Sequence, residues 1–374
     1  MTEYADIDKL LSALRHGHSC LLLNENSAGG MTGFVVVAAE HCEAQHIAFM
    51  ARQARGLVCL AMTPQRCEEL QLPLMVEGDD SLSPFTLSIE AATGIDTGIS
   101  AADRAHTVRV AVDTASQASD LVQPGHIFPI AAAAGGVLTR TAPAEAAMDL
   151  ATLAGLLPSA VFTEVLDNDG AVADADYLLG FADQHQLVMG LVSDLVTYRL
   201  ANQKTIRAVR EGTLQTRHGV FSATAYQDTT QGRLHVALTK GVIDAAKPTL
   251  VRVHVTSVFR DLVGTTLDGH ASWSFDASLK AIGESEGGVL VLLSKPEATD
   301  DLLHDIDRLL GEPESDKAGS PDAYNQIGMG AQILRDLGVG QIRLLGAPLK
   351  YNALAGFGLE VVDFVAPPEA ADSH

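Results

Sequence analysis

No apolar run in this 374-residue chain approaches the ~20 residues that cross a bilayer. Its hydrophobic residues fall instead into short runs divided by turn residues and helix-like stretches. CLLL (20–23) and FVVVAAE (34–40) flank a glycine-rich loop, and GLVCLAM (56–62) has the length and composition of a buried strand. AEAAMDLATLAGL (144–156), with Pro143 near its start and Gly155 near its end, predicts a helix. AVFTEVLDNDG (160–170) predicts a strand running into a turn built from Asn168, Asp169 and Gly170.

A second pattern begins near Thr216. HVALTKG (235–241), TLVRVHV (249–255) and GGVLVLLS (287–294) predict strands; DDLLHDIDRLL (300–310) and GAQILRDLG (330–338) predict helices, the latter stopped by Gly338. The polar segment 311–322, with its prolines and glycines, predicts a mobile loop, and APPEAADSH predicts a disordered tail. Between the halves, residues 188–212 begin apolar and become charged with few breakers, so their latter part predicts a connecting helix. There is no internal repeat. Helix and strand mix without strict βαβ regularity, and the length suits two cores, so the predicted class is α+β in two domains.

The N-terminus places Ile7, Leu10, Leu11 and Leu14 at helical spacing among early acids, which predicts an amphipathic helix rather than a signal peptide and a cytoplasmic protein. A formal charge of -22 repels nucleic acid and anionic membranes, although a locally basic pocket would still admit a small phosphorylated ligand. The cysteines are Cys20, Cys42, Cys59 and Cys67, with no CxxC spacing and none beyond residue 67. That argues against disulfides and excludes a thiolate zinc site in the second half.

Several stretches of the first half together resemble one family: HIAFMARQARGLVCLAMT (46–63), DTGISAADRAHTVRVA (96–111), QPGHIFPI (123–130), GGVLTRTAPAEAAMDLATLAG (135–155) and TEVLDNDG (163–170). They are similar to 3,4-dihydroxy-2-butanone 4-phosphate synthase, the riboflavin-pathway enzyme that acts on ribulose 5-phosphate. The second half resembles GTP cyclohydrolase II through TRHGVFSATAYQD (216–228), GMGAQILRDLGVGQIRLL (328–345) and KYNALAGFGLEVV (350–362). The resemblance implies a synthase-like domain over 1–200, the connecting helix over 201–212, a cyclohydrolase-like domain over 213–366 and a tail over 367–374. It also implies a homodimer formed through the first domain, and a link to a riboflavin-pathway enzyme as partner.

The resemblance holds in the scaffold and breaks where chemistry is expected. The synthase family's acidic loop, DDEDRENEGD, has ENSAGGMTGF in its register. The arginine and first glutamate of RENEGD fall on Gly29 and Gly30, the second glutamate on Thr32 and the final aspartate on Phe34; only Gly33 survives. That first glutamate and the histidine of RPGHTEA hold magnesium in the family, and the histidine position here is Pro143. No magnesium is therefore expected, because the ion needs oxygen donors. The loop itself admits a phosphate cradle, a plain turn or a catalytic remnant; with no lysine, and with a strand rather than a helix after it, a P-loop is disfavoured.

By the same resemblance His126 and Glu164 match catalytic positions, and Thr97, Arg104 and Arg140 match substrate-binding ones. Two readings of His126 and Glu164 stand: a proton-passing pair, or a histidine held by backbone hydrogen bonds with a glutamate paired to a nearby base. In the second half the family's three zinc cysteines fall on Ser257, Asp268 and His270, so no zinc is expected. Its catalytic DxRDYG register reads Ala323 to Gly328. Arg252, His254 and Lys350 match nucleotide-site positions, and strand alternation puts Arg252 and His254 on one half-exposed face.

Overall fold

The computed structural model describes residues 4–25, 30–76, 84–230, 232–265, 273–294, 302, 306, 321–346 and 357–367, the side chains of 321–325 excepted. The chain forms two compact units, Met1–Tyr198 and Arg199–His374.

In the first unit the N-terminal helix α1 (Ile7–Arg15) buries Ile7, Leu10, Leu11 and Leu14, the stripe its spacing predicts, and Asp6 caps its first turn. The strands are β1 (Cys20–Glu25), β2 (Met31–Ala38), β3 (Cys59–Met62), β4 (Ile89–Ala91), β5 (Leu121–Ala131), β6 (Ala160–Glu164) and β7 (Val188–Leu191). They form one mixed sheet in the order β4-β5-β3-β6-β2-β1-β7. On either side of the glycine-rich loop, β1 and β2 pair antiparallel, out to Glu25↔Met31. A strand follows it, as the P-loop argument requires; residues 26–29, Gly29 among them, lie outside the described residues.

Strand alternation divides the sheet's side chains between two layers. Leu21, Leu23, Val35, Val37, Leu60 and Met62 join a core with α2 (Ala44–Phe49), α3 (Pro64–Glu69), α4 (Ala101–Val112) and α6 (Ala175–His185). Helix α5 (Pro143–Leu153) packs on β2, β3 and β6 from the opposite face, with α1 beside it. Pro143 occupies the first helical turn, where its missing N–H is no loss. The surviving Gly33 is a packing glycine: a Cβ there would come within 2.3 Å of Leu178 on α6.

The predicted connecting helix over 201–212 is corrected. Helix α7 (Val192–Asn202) ends early, and Ile206–Thr216 is strand β8. β8 is the edge of the second sheet and is exposed along most of its length, so its run of charges mimics a solvated helix while its backbone pairs with β9 (Gly219–Asp228). The remaining strands, β10 (Leu234–Lys240), β11 (Pro248–Val255), β12 (Gly288–Leu293), β13 (Gln341–Leu345) and β14 (Glu360–Val365), complete the order β14-β13-β11-β12-β10-β9-β8. Helix α8 (Phe275–Glu284) supports Trp273, Leu279 and Ile282 in the core of this unit. The last helix, α9 (Pro321–Asp336), begins at Pro321 and so takes in the last two residues of the loop predicted over 311–322; the rest of that loop lies outside the described residues. Gly338, at φ +81, lies just beyond α9, consistent with the stop expected there. Most of 300–310 and the tail lie outside the described residues.

Candidate functional site

In the first unit, strand pairing builds a cavity on the α5 side of the sheet. Phe34 pairs with Glu164, and Cys59 with Phe162, so all four side chains share a face. Ala142 to Glu145 at the start of α5 form a second wall, and Leu57, Phe85 and Ile130 help close a space of ≈ 360 Å³. Gly56 is required beside it, since a Cβ there would sit 2.2 Å from the Glu164 carbonyl oxygen. Phe34, at the position of the family aspartate, and Pro143, at that of the metal-holding histidine, both line this cavity.

Its polar groups are mostly acidic. Glu145 is 0% exposed; its Oε1 accepts from the Ala133 amide at 2.8 Å and from the Arg140 guanidinium, while its Oε2 is buried without a partner. Arg140 is thus held by Glu145. Glu164 is half-buried, and burial pushes its carboxyl above the ordinary value. The base that one reading places beside Glu164 is missing among the described residues. The Cys59 thiol is pushed up to about 12, first by burial and then by the Glu164 charge, so it is no nucleophile at neutral pH.

His126 is not among the residues lining the cavity. Its Nδ1 lies 2.6 Å from Glu90 Oε1, so a carboxylate rather than the backbone orients the ring. The motif comparison missed Glu90, which packs against Gly98: a Cβ there would come 1.4 Å from Glu90 Oε1. Thr97 is exposed on the loop ahead of α4. Desolvation pushes the Asp103 carboxyl up, but hydrogen bonds from Ser100 and from the Gly98, Asp96 and Thr97 amides hold it below its ordinary value. Arg104 follows it with Nε buried and no hydrogen-bond partner, and burial lowers its pKa. Arg104 therefore remains a candidate anion contact.

In the second unit the described nucleotide-site candidates make their contacts within the unit, although the buried His254 Nδ1 has no hydrogen-bond partner. His254 is 0% exposed, which corrects the half-exposed strand face expected for it: its Nε2 lies 2.9 Å from Asp261 Oδ2, and the Phe275 ring packs 5.8 Å away. Asp261 also accepts from the amides of Ser257 and Phe275, each at 2.9 Å, and from Arg260. Burial holds His254 down to about 4, against the pull of Asp261, whose charge Arg260 already balances. Arg252 donates to the Leu345 carbonyl at 2.8 Å and the Trp273 carbonyl at 3.4 Å. Ser257, at the first zinc position, caps the turn Val258–Val263. Asp268, His270 and Lys350 lie outside the described residues, as do the side chains of 323–325.

Gly30 and Pro143, at the two positions where the resemblance places magnesium ligands, offer a cation no side-chain donor. Among the described residues no group of three or more His, Cys, Asp or Glu is placed to hold a metal ion. The residues at the two synthase positions therefore do not supply the magnesium ligands that the resemblance implies, and two of the three zinc positions lie outside the described residues.

Fold and cavity together define a tandem α+β protein, with a synthase-like sheet followed by a cyclohydrolase-like one. The family model of 3,4-dihydroxy-2-butanone 4-phosphate synthase matches residues 8–198, and that of GTP cyclohydrolase II matches residues 207–366. The chain is 44% identical over 364 residues to a 3,4-dihydroxy-2-butanone 4-phosphate synthase of Pseudomonas syringae pv. tomato, covering 97% of this chain and 98% of that one. It is 36% identical to the riboflavin biosynthesis protein RibBA of Aquifex aeolicus, with 97% and 92% covered. The solved structure of RibBX, a two-domain 3,4-dihydroxy-2-butanone 4-phosphate synthase from A. baumannii, superposes with a TM-score of 0.82 at 38% identity, over 98% of this chain and 100% of that one. The chain belongs to the 3,4-dihydroxy-2-butanone 4-phosphate synthase family of riboflavin biosynthesis, in its form fused to a GTP cyclohydrolase II domain.

Proposed function

We propose that this family member is a pseudoenzyme in both units, retained as a binding, scaffold or regulatory protein linked to riboflavin metabolism. The observation that carries the proposal is Pro143: it starts α5 and lines the cavity where a metal-holding histidine is expected, with Phe34 beside it. Losing a cation's ligands removes the transition-state stabilisation the cation supplies. On this reading neither magnesium nor zinc is resident. The protein is cytoplasmic and a homodimer through its first unit, with no nucleic-acid or membrane partner; its charge of -22 and the want of any described helix long and apolar enough to cross a membrane support the last point. The relatives named as synthases set the activity to be tested. Purified protein given ribulose 5-phosphate with magnesium, and GTP with zinc, is expected to consume neither; turnover of either, in protein freed of host enzymes, overturns the proposal.

A second reading, an enzyme with altered sugar-phosphate chemistry using His126 and Glu164, or with residual synthase activity, is favoured by Glu90, which holds the His126 ring in one orientation as a general base requires. Arg104 would then meet the phosphate. Under this reading His126→Ala abolishes a metabolite-dependent rate; an unchanged rate ends it.

A further inference from the structure

The cavity beneath α5 has no cationic side chain among its lining residues. Its walls are largely aromatic and aliphatic, and the charged groups lining it are Glu145 and Glu164. Glu145 Oε2 is fully buried without a partner, and a buried carboxylate oxygen left unsatisfied is costly to retain unless something occupies it. Arg140 balances the Glu145 charge through Oε1, whereas Glu164 adds a second carboxylate to the same cavity that no cation balances among the described residues. A phosphate entering here would meet the unbalanced Glu164 carboxylate in a partly desolvated space. A cation would meet opposite charge, together with the rings of Phe34, Phe85 and Phe162.

We propose that this cavity binds a small organic cation, its aromatic or branched-aliphatic body seated among Phe34, Leu57, Phe85 and Phe162 and its ammonium group directed at the carboxylates of Glu145 and Glu164. The inference rests on the non-catalytic reading of the first unit and adds a ligand class to it. The volume of ≈ 360 Å³ lies within the range of small-molecule sites.

Three probes of one shape separate charge from size: tryptamine, its alcohol analogue tryptophol, and the anion indole-3-acetate. Calorimetry on the full-length protein at pH 8 is expected to show tryptamine binding about tenfold more tightly than tryptophol, with indole-3-acetate giving no heat. Glu164→Gln keeps the shape and is expected to weaken tryptamine about tenfold while leaving tryptophol within about twofold, which also reports that the cavity is intact. Indole-3-acetate binding as well as tryptamine, no tryptamine binding, or an unchanged tryptamine affinity in Glu164→Gln overturns the proposal. Turnover of ribulose 5-phosphate would overturn the non-catalytic reading instead, so the two failures are distinguishable.

Discussion

The two units stand at positions where their families place catalytic cations, yet they treat the leftover charges in opposite ways. In the second unit Asp261 gathers Arg260, His254 and two backbone amides, and Arg252 is fixed on carbonyl oxygens. In the first unit the cavity stays open, with Glu145 Oε2 unsatisfied and Glu164 without a counter-charge. A site absorbed into the core contributes stability. A site kept open and under-satisfied is costly to keep, and that difference makes the first unit the place to test for ligand binding.

Asp261→Ala tests the absorbed half and has the largest expected effect. It strands His254 and Arg260 together and leaves the Ser257 and Phe275 amides without their acceptor. Removing one partner of a buried ion network costs about 3–5 kcal/mol. Trp273 is the chain's one tryptophan and is buried in this unit, so its fluorescence in a urea titration reads the loss directly. A change below about 1 kcal/mol would show that the network is not integral to the core.

Acid should weaken the same unit without any mutation. His254 has a folded value of about 4 against an ordinary 6.5, so between those values the unfolded chain binds more protons. Stability is then full above pH 6.5 and falls as the pH drops toward 4, by up to about 3 kcal/mol. Asp261 is held well below the usual carboxylate range and stays ionised throughout that window, while the buried His235, also held down, acts in the same direction as His254. The check is the Trp273 transition measured from pH 7 to 4, with the His254 imidazole followed by NMR. An imidazole that titrates near 6.5 in the folded protein would break this account.

In the first unit Glu145→Gln is intermediate. Glutamine keeps an acceptor for the Ala133 amide but leaves Arg140, itself 30% exposed, without its charge partner. Partial solvation of Arg140 limits the loss to about 1–2 kcal/mol. Hydrogen-exchange mass spectrometry of peptides spanning α5 would read it.

Much of this fold was legible because local signals agreed with tertiary ones. The Ile7–Leu14 stripe, Pro143 at a helix start and the glycine stop at Gly338 each mark a feature that the packing also uses. β8 was misread because an edge strand needs no apolar face, and only its pairing with β9 reveals it. At the site, motif registers led to Pro143 and Phe34, but neither Glu90 nor Asp261 was visible. Their partners, His126 and His254, lie 36 and 7 residues away and are brought in by sheet register and by a capped turn. Burial of His254 was missed for a related reason: alternation names a face but does not say what covers it.

The smallest predicted effect is the most discriminating. In Asp261 a carboxylate surrounded by donors is held down and stabilising, whereas in Glu164 a carboxylate without them is pushed up by burial. A carboxyl whose folded value is raised is destabilising when ionised, and that penalty fades as the pH falls through the folded value toward the unfolded one. Glu164→Gln removes the charge and keeps the shape, so the first unit is expected to gain stability at pH 8, by less than about 1 kcal/mol given its partial exposure. The gain should shrink as the pH approaches 4.5, the ordinary value of the group. Hydrogen exchange in β6 and α5 at two pH values measures both the sign and the trend. Added tryptamine should stabilise the parent protein more than the variant, since the cation supplies what Glu164 lacks. If the variant were instead destabilised at pH 8, a partner for Glu164 would have to exist, and the contrast between the two units would collapse.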